Sequence, residues 1–301
     1  MLSLPLLFIL QIIWTSSYVA MKFSLESMPV GTVLIFRYGI ASLVFLLFGY
    51  FRGVSQFSKR DWLLVIGVGI ANYTCSPFFQ LKGLALTQVM DVSVMVATEP
   101  LITALMASLI LREKLTLDLL TVCLISIVGI FIISDVNVAL LTSPMTGGRL
   151  LGNLLFILAL CFEGFNTIVG RSLTQRHKPL TLVAWMHLSG FVTNLLFNFP
   201  LLGEIAAKPP LVKSWVAVVY LGIFCSAIGY GTWYILVQKV PVIRLSLSLF
   251  LQPVIGIFLG CLVMGEDLNQ RMLLGAGLIL VTLFVWVLKD NLKNKIPPTL
   301  A

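Results

Sequence analysis

Charge is what this sequence has least of. Only 11% of its 301 residues are Asp, Glu, Lys or Arg, against about 25% in a soluble domain. A chain this poor in charge cannot clothe a globular surface, so a soluble enzyme or binding domain is excluded. Histidine is almost missing: His177 and His187 are the only two. They are too few for a metal cluster, and neither a metal site nor a cofactor is expected. The five cysteines (Cys75, Cys123, Cys161, Cys225, Cys261) lie inside apolar runs, with no CxxC pair. They read as buried packing residues, not as a disulfide framework. Enzyme motifs are absent too, with no HExxH, no GxSxG and no GxxxxGKS/T. Gly67-Val68-Gly69 runs into Ile70-Ala71-Asn72 without the third glycine of a dinucleotide loop. An ATP-driven pump is excluded for the chain alone. The amino terminus lacks a basic n-region and a small-residue cleavage site, so the stretch from Met1 to Met21 reads as a retained span.

What is present is apolar. Hydrophobic residues make up 59% of the chain and mean hydropathy is +1.03, which defines a polytopic membrane protein. About 20 apolar residues cross the roughly 30 Å of hydrocarbon as a helix. Ten such spans are predicted, at 2–22, 31–51, 62–82, 89–111, 117–134, 150–171, 180–202, 214–237, 242–264 and 271–289. The lipid bilayer is therefore the first partner. The net charge of +8 comes from residues flanking the spans and does not imply nucleic acid. The side of the amino terminus collects Arg52, Lys59, Arg60, Arg112, Lys114, Arg171, Arg176, Lys178, Lys239, Arg244, Lys289, Lys293 and Lys295. The opposite side has only Lys22, Arg37, Lys82, Arg149, Lys208, Lys213 and Arg271. By the positive-inside bias both termini are expected to face the cytoplasm, in the cell (inner) membrane.

One segment occurs twice. Glu99-Pro100 through Glu113-Lys114-Leu115 returns as Gln252-Pro253 through Glu266-Asp267-Leu268, displaced by 153 positions. Thr103 and Ala107 fall on Gly256 and Gly260, which keeps a small-xxx-small spacing. Other pairs repeat with similar offsets: Pro29 with Pro179, Arg37 with His187, and Asn72, Ser76 and Gln80 with Ser226, Tyr230 and Tyr234. The chain therefore divides into a five-helix half at 1–134, a linker at 135–149, a second half at 150–289 and a tail at 290–301. Five is odd, so the second half enters from the opposite face. Two inverted repeats with a site near the midplane are the expected all-α architecture, typical of secondary transporters.

Ionisable groups inside a membrane are functional candidates by default. Glu99 sits beside Pro100, which cannot donate to the Val96 carbonyl. Glu99 is read either as a site for a proton, cation or amine, or as a packing residue. Its copy is Gln252, so symmetry does not demand the acid. Glu163 is the second candidate, with Asn166 one turn away and room at Gly164 and Gly170. Trp14 and Tyr18 lie at the corresponding depth of the first half and are read as a cavity wall or as packing. Asn72, Ser76 and Gln80 form one polar stripe, and Ser226, Tyr230 and Tyr234 another; each must face protein or a wet cavity. Arg37 is read mainly as an interfacial residue with its head at the surface, and otherwise as a partner for a carboxylate. His187 reads as packing. Pro100, Pro253, Glu113 and Glu266 are structural, the two glutamates tying helix ends together. Gly256-x-x-x-Gly260 allows close helix approach, within the protein or in a homodimer. Thr116 and Asn269 are plausible N-caps.

With its paired segments Arg112-Glu113-Lys114-Leu115-Thr116 and Gly265-Glu266-Asp267-Leu268-Asn269, each after a helix with an early proline, the chain resembles the EamA-type branch of the drug/metabolite transporter superfamily. The small residue usual before the Glu is Gly265 in the second copy but Arg112 in the first. The resemblance implies an alternating-access secondary transporter, an exporter of amino acids or other small metabolites. Cationic drugs and phosphorylated metabolites are alternative substrates. A non-transporting receptor or scaffold is the reading from another class.

Overall fold

In hydrocarbon every backbone N–H and C=O needs an internal partner, so apolar runs of this length fold as helices. The computed structural model describes residues 3–52, 57–86, 99–113, 116–133, 147–264 and 270–293, and every regular element among them is helical. Helix α1 spans Ser3–Leu25 and α2 Val30–Leu47. Helix α3 (Lys59–Ile70) continues through a π-helical segment, Ala71–Cys75, into α4 (Ser76–Leu86). Then follow α5 (Glu99–Leu111), α6 (Leu117–Ile133), α7 (Gly147–Thr174), α8 (Pro179–Asn198) and the short α9 (Leu201–Ala207). Helix α10 (Val212–Tyr220) runs through a second π segment, Leu221–Ile228, into α11 (Gly229–Lys239). The chain ends with α12 (Val242–Ser246), a 3₁₀ turn at Leu247–Phe250, α13 (Leu251–Met264) and α14 (Gln270–Lys293).

Among the described residues six helices are long and apolar enough to cross a membrane: Pro5–Leu25, Val30–Leu47, Lys59–Gln80, Leu154–Thr174, Pro179–Asn198 and Val212–Lys239. Shorter apolar helices at Glu99–Leu111, Leu120–Gly129, Leu247–Gly256 and Leu273–Trp286 fall within the other four expected spans. The first ten residues expected in the fourth span lie outside the described residues, as do 134–146, most of the expected linker. Gly147 already opens α7, so the helix starts earlier than expected.

Large apolar side chains cover the outside, with Leu109 and Leu262 both more than 80% exposed. Gln11, Asn72, Asn166, His187 and Asn194 lie inside. This is the reverse of a water-soluble surface and marks an integral membrane protein. Helix α4 packs along α7, α2 along α8, α6 along α14, and α1 against α10 and α13, while α5 meets α7 and α12.

A Cβ on Gly256 would meet Thr15 Cγ2 at 3.7 Å, an ordinary contact, and the side chain position of Gly260 lies outside the described residues. In the first copy of the spacing, Thr103 approaches Gly164 of α7, where a Cβ would come 3.1 Å from its hydroxyl. Another tight crossing is α3 on α8, where a Cβ on Gly69 would come within 2.5 Å of the Met186 carbonyl oxygen, and one on Gly190 within 2.5 Å of Tyr73 Cβ.

Two polar clasps join helix starts to distant turns. Asp61 forms a capping box with Ser58 at the start of α3. Its carboxylate also pairs with Arg176 (2.8 Å) and His177 (3.1 Å) in the turn between α7 and α8. At the start of α10, Ser214 accepts a hydrogen bond from Ser27 (2.8 Å) and donates to the Phe23 carbonyl (2.7 Å). Lys213 pairs with Glu26 beside it. Asp61 is only 3% exposed, and removing one member of a buried pair costs more than the pair contributes net. Asp61→Ala is therefore expected to lower stability by about 3 kcal/mol, cap loss included. Asp61→Asn, which keeps an acceptor for the cap, should cost less; thermal unfolding in detergent measures both.

The repeated glutamate acts as the sequence suggested. Glu113 accepts a hydrogen bond from the Val242 N–H (3.0 Å) at the first position of α12. A carboxylate there satisfies a free helix-start donor and meets the positive end of the dipole. Arg112, in the place of the usual small residue, adopts the left-handed φ of 56°, the conformation glycine enters without steric penalty. Its copy Gly265, together with Glu266 and Asn269, lies outside the described residues. Helix α6 starts right after Thr116, whose carbonyl accepts from the Leu120 N–H (3.1 Å), so Thr116 holds the N-cap position.

Candidate functional site

A cavity of about 100 Å³ sits between the two halves of the chain. It is lined by Trp14, Ser17 and Met21 of α1, Arg37 and Tyr38 of α2, and Asn72, Pro77 and Gln80 of the α3–α4 segment. Glu99 from α5 and Glu163, Asn166 and Thr167 from α7 add the acidic side. Tyr230 and Trp233 of α11, with Leu249 and Gln252, complete it. Eight of the eleven candidate residues named from the sequence thus meet in one place: Trp14, Asn72, Gln80, Glu99, Glu163, Asn166, Tyr230 and Gln252.

Ser76 and Tyr234 do not line it. Ser76 is fully buried behind the wall, donating to the Ala159 carbonyl (3.2 Å) and to Glu163 (3.3 Å). Tyr234 is also fully buried, because its ring occupies the room beside Gly170, where a Cβ would come 3.0 Å from it. From there its hydroxyl donates to Asn166 Oδ1 at 2.6 Å. Tyr234 thus positions Asn166 and forms no wall. The side chain of Tyr18 lies outside the described residues, and so does that of Pro253. Pro100 is the second residue of α5 and is buried; Val96 lies outside the described residues.

The cavity has two unlike walls, each built from both halves of the chain. One is polar: Glu163 accepts from Gln80 Nε2 at 2.5 Å, and Asn72 and Asn166 flank it. The other is aromatic: Trp14 lies 5.5 Å from Tyr230 and 5.2 Å from Trp233, centroid to centroid. The Trp14 indole donates to the Cys225 carbonyl (3.1 Å), inside the second π segment. Asn72 lies in the first π segment. π segments recur at functional sites because they displace side chains from the regular helical register.

The pair singled out by the repeat, Glu99 and Gln252, behaves asymmetrically. Gln252 Nε2 donates to Gln11 Oε1 (2.9 Å), and Gln11 Nε2 donates to Ser248 (2.9 Å). The neutral copy is thus part of a tie between α1 and α13. Glu99 makes no hydrogen bond or ion pair with any described residue and borders the cavity.

Arg37 corrects an expectation. It is not an interfacial residue: it is 9% exposed and lines the cavity, with Nε donating to Ser226 at 2.8 Å. Burial beside Ser226, from the other half of the chain, holds it there. Its sequence copy His187 is fully buried, its Nδ1 donating to the Val183 carbonyl (2.8 Å), with Tyr73 4.0 Å away ring to ring. Met21, Tyr38, Thr167 and Trp233 were not anticipated. A helix-spacing argument that carried the Trp14 face one and two turns onward would have reached Ser17 and Met21.

A helical membrane protein with a charged cavity between its halves has the form of a small-molecule transporter. The comparisons agree. The model of the EamA-like transporter family matches residues 1–135 and 150–288; the chain belongs to that family and is a membrane transporter. An uncharacterized transporter of Archaeoglobus fulgidus is 23% identical over 276 residues, 92% of this chain and 95% of its own. The uncharacterized transporter YetK of Bacillus subtilis is 24% identical, covering 94% and 86%. The uncharacterized inner membrane transporter YedA of Escherichia coli is 25% identical, covering 91% and 86%. A crystal structure of a protein 20% identical in sequence superposes with a TM-score of 0.76 over 94% of this chain and 96% of that one, a likeness of fold.

Proposed function

We propose that the protein is a secondary active exporter of amino acids or related small metabolites, working by alternating access from two inverted five-helix repeats of ten spans. The single observation that carries this reading is the cavity between the halves, with Glu99 in its wall and without a partner among the described residues. Support for the repeats comes from packing that survives exchange of the halves: α4 on α7 corresponds to α11 and α10 on α1, and α2–α8 and α6–α14 map onto themselves. The two π segments correspond, as do the two clasps: Arg176 and His177 fall on Glu26 and Ser27, and Asp61 on Ser214. The family match in two blocks fits repeats at 1–134 and 150–289. The positive-inside bias puts both termini in the cytoplasm. Phosphorylated metabolites suit the site less, since the cavity offers two carboxylates to one guanidinium.

The test is counterflow in proteoliposomes holding the purified chain. Amino acids, cationic drugs and phosphorylated metabolites are each loaded inside and traced from outside, with and without a pH gradient and without ATP. Amino-acid exchange above protein-free liposomes is the expected result. Flux of none of the three classes overturns the transporter mechanism proposed here and returns the receptor or scaffold reading.

A further inference from the structure

We propose that the cavity takes its substrate as a zwitterion, with Arg37 holding the carboxylate pole and Glu99 the ammonium pole. The inference rests on the transporter reading above and goes on to assign the two ends of the ligand to residues. Arg37 is buried in the cavity wall, and Ser226 occupies only its Nε. The nearest partner of Nη1 is the Met21 sulfur at 4.0 Å, a weak acceptor at best. No carboxylate of the described residues lies within ion-pair distance of the guanidinium. The Nη edge of the fork, which matches a carboxylate in a bidentate way, is thus left for the cavity. Ser226 fixes its orientation from the opposite half.

Glu99 is the complementary case, an acid without a partner among the described residues. Glu163 differs, since Gln80 and Ser76 already donate to it. A third group points the same way. Asn72 is 2% exposed and lines the cavity beside Tyr230, and its amide makes no hydrogen bond of ordinary geometry with the described residues. An amide supplies donors and an acceptor, so it can serve either pole. Isolated buried charges are expensive. A cation alone leaves the Nη edge of Arg37 without an acceptor, and an anion alone leaves Glu99 without a donor among the described residues; a small molecule carrying both poles supplies the two together. The faces of Trp14 and Tyr230 beside the acidic wall also favour an ammonium, through the ring quadrupole.

The experiment compares ligands that differ by one pole. The twenty proteinogenic amino acids are screened singly for counterflow. Each one transported is then set in competition with its decarboxylated amine and its N-acetyl derivative. The expected result is that the amino acid competes at least about tenfold better than either single-pole analogue. In Arg37→Gln the preference over the amine falls to near unity; in Glu99→Gln the preference over the N-acetyl derivative does. Arg37→Lys, which keeps the charge without the fork, should retain part of the preference. Should either variant fail to fold, the wild-type ratios alone decide. An amine or N-acetyl derivative that competes as well as the amino acid in the wild type overturns the proposal, and so does a folded Arg37→Gln with an unchanged ratio. Counterflow of another class alone overturns it while leaving the transporter reading intact. Flux of no class removes that reading instead.

Discussion

Glu99→Gln is expected to lower counterflow on the order of 100-fold or more, to remove the response to a pH gradient, and to leave the fold unchanged. The substitution keeps the shape of the side chain and takes away only its charge and its capacity to hold a proton. No described residue donates to Glu99, so no hydrogen bond to the described residues is lost with it. What is lost is the interaction with whatever enters the cavity. Truncating one partner of a desolvated charge pair costs about 2–5 kcal/mol, and 1.4 kcal/mol is tenfold, which sets the magnitude. Proteoliposome counterflow reads the rate, and thermal unfolding in detergent reads the fold. A variant with wild-type flux and an intact pH response would show that the acid only packs. The corresponding change at Gln252 is expected to look different. Gln252→Leu breaks the link to Gln11, so it should lower stability by about 1 kcal/mol and affect transport only through the α1–α13 contact.

This asymmetry was legible before any coordinates, because a repeat supplies its own control: where two copies agree, architecture explains the residue, and where they differ, it does not. Glu113 recurs and caps a helix of the other half; Glu99 does not recur and faces the cavity. Arg37 was not legible for a nonlocal reason. Its depth in α2 is compatible with an extended side chain reaching the surface, and only the approach of Ser226, from 189 positions away, turns it inward. The polar stripes were legible as stripes but not residue by residue. Their four-residue spacing assumes a regular helix, while both run through or out of π segments. Ser76 and Tyr234 consequently end behind the wall. Gly69 illustrates a third limit. Its tight approach to α8 depends on which helix packs across from it, and no repeated spacing marks that.

The crossing of α3 on α8 yields the second large effect. Gly69→Ala is expected to destabilise the protein by about 3 kcal/mol, whereas Gly67→Ala, two residues away on α3, should stabilise it slightly. Both changes remove the same backbone freedom, which favours Ala over Gly in a helix by roughly 0.5–1 kcal/mol. The surroundings then decide the sign. A Cβ at Gly67 meets nothing within 4 Å. A Cβ at Gly69 meets Ser189 Oγ at 1.9 Å, the Met186 carbonyl oxygen at 2.5 Å and Met186 Cα at 2.9 Å. The serine hydroxyl can rotate away, but two of the three atoms belong to the α8 backbone. The helices must separate, and overpacking of this kind typically costs about 1–3 kcal/mol, occasionally more. Separation would also strain the opposing close contact at Gly190 on Tyr73. Gly69 lies three residues before Asn72, so a shift of α3 displaces the first π segment and the polar wall with it. Transport in Gly69→Ala should therefore fall along with the unfolding temperature, while Gly67→Ala keeps wild-type flux. Equal unfolding temperatures for the two variants would mean that the α3–α8 crossing is looser than its geometry implies.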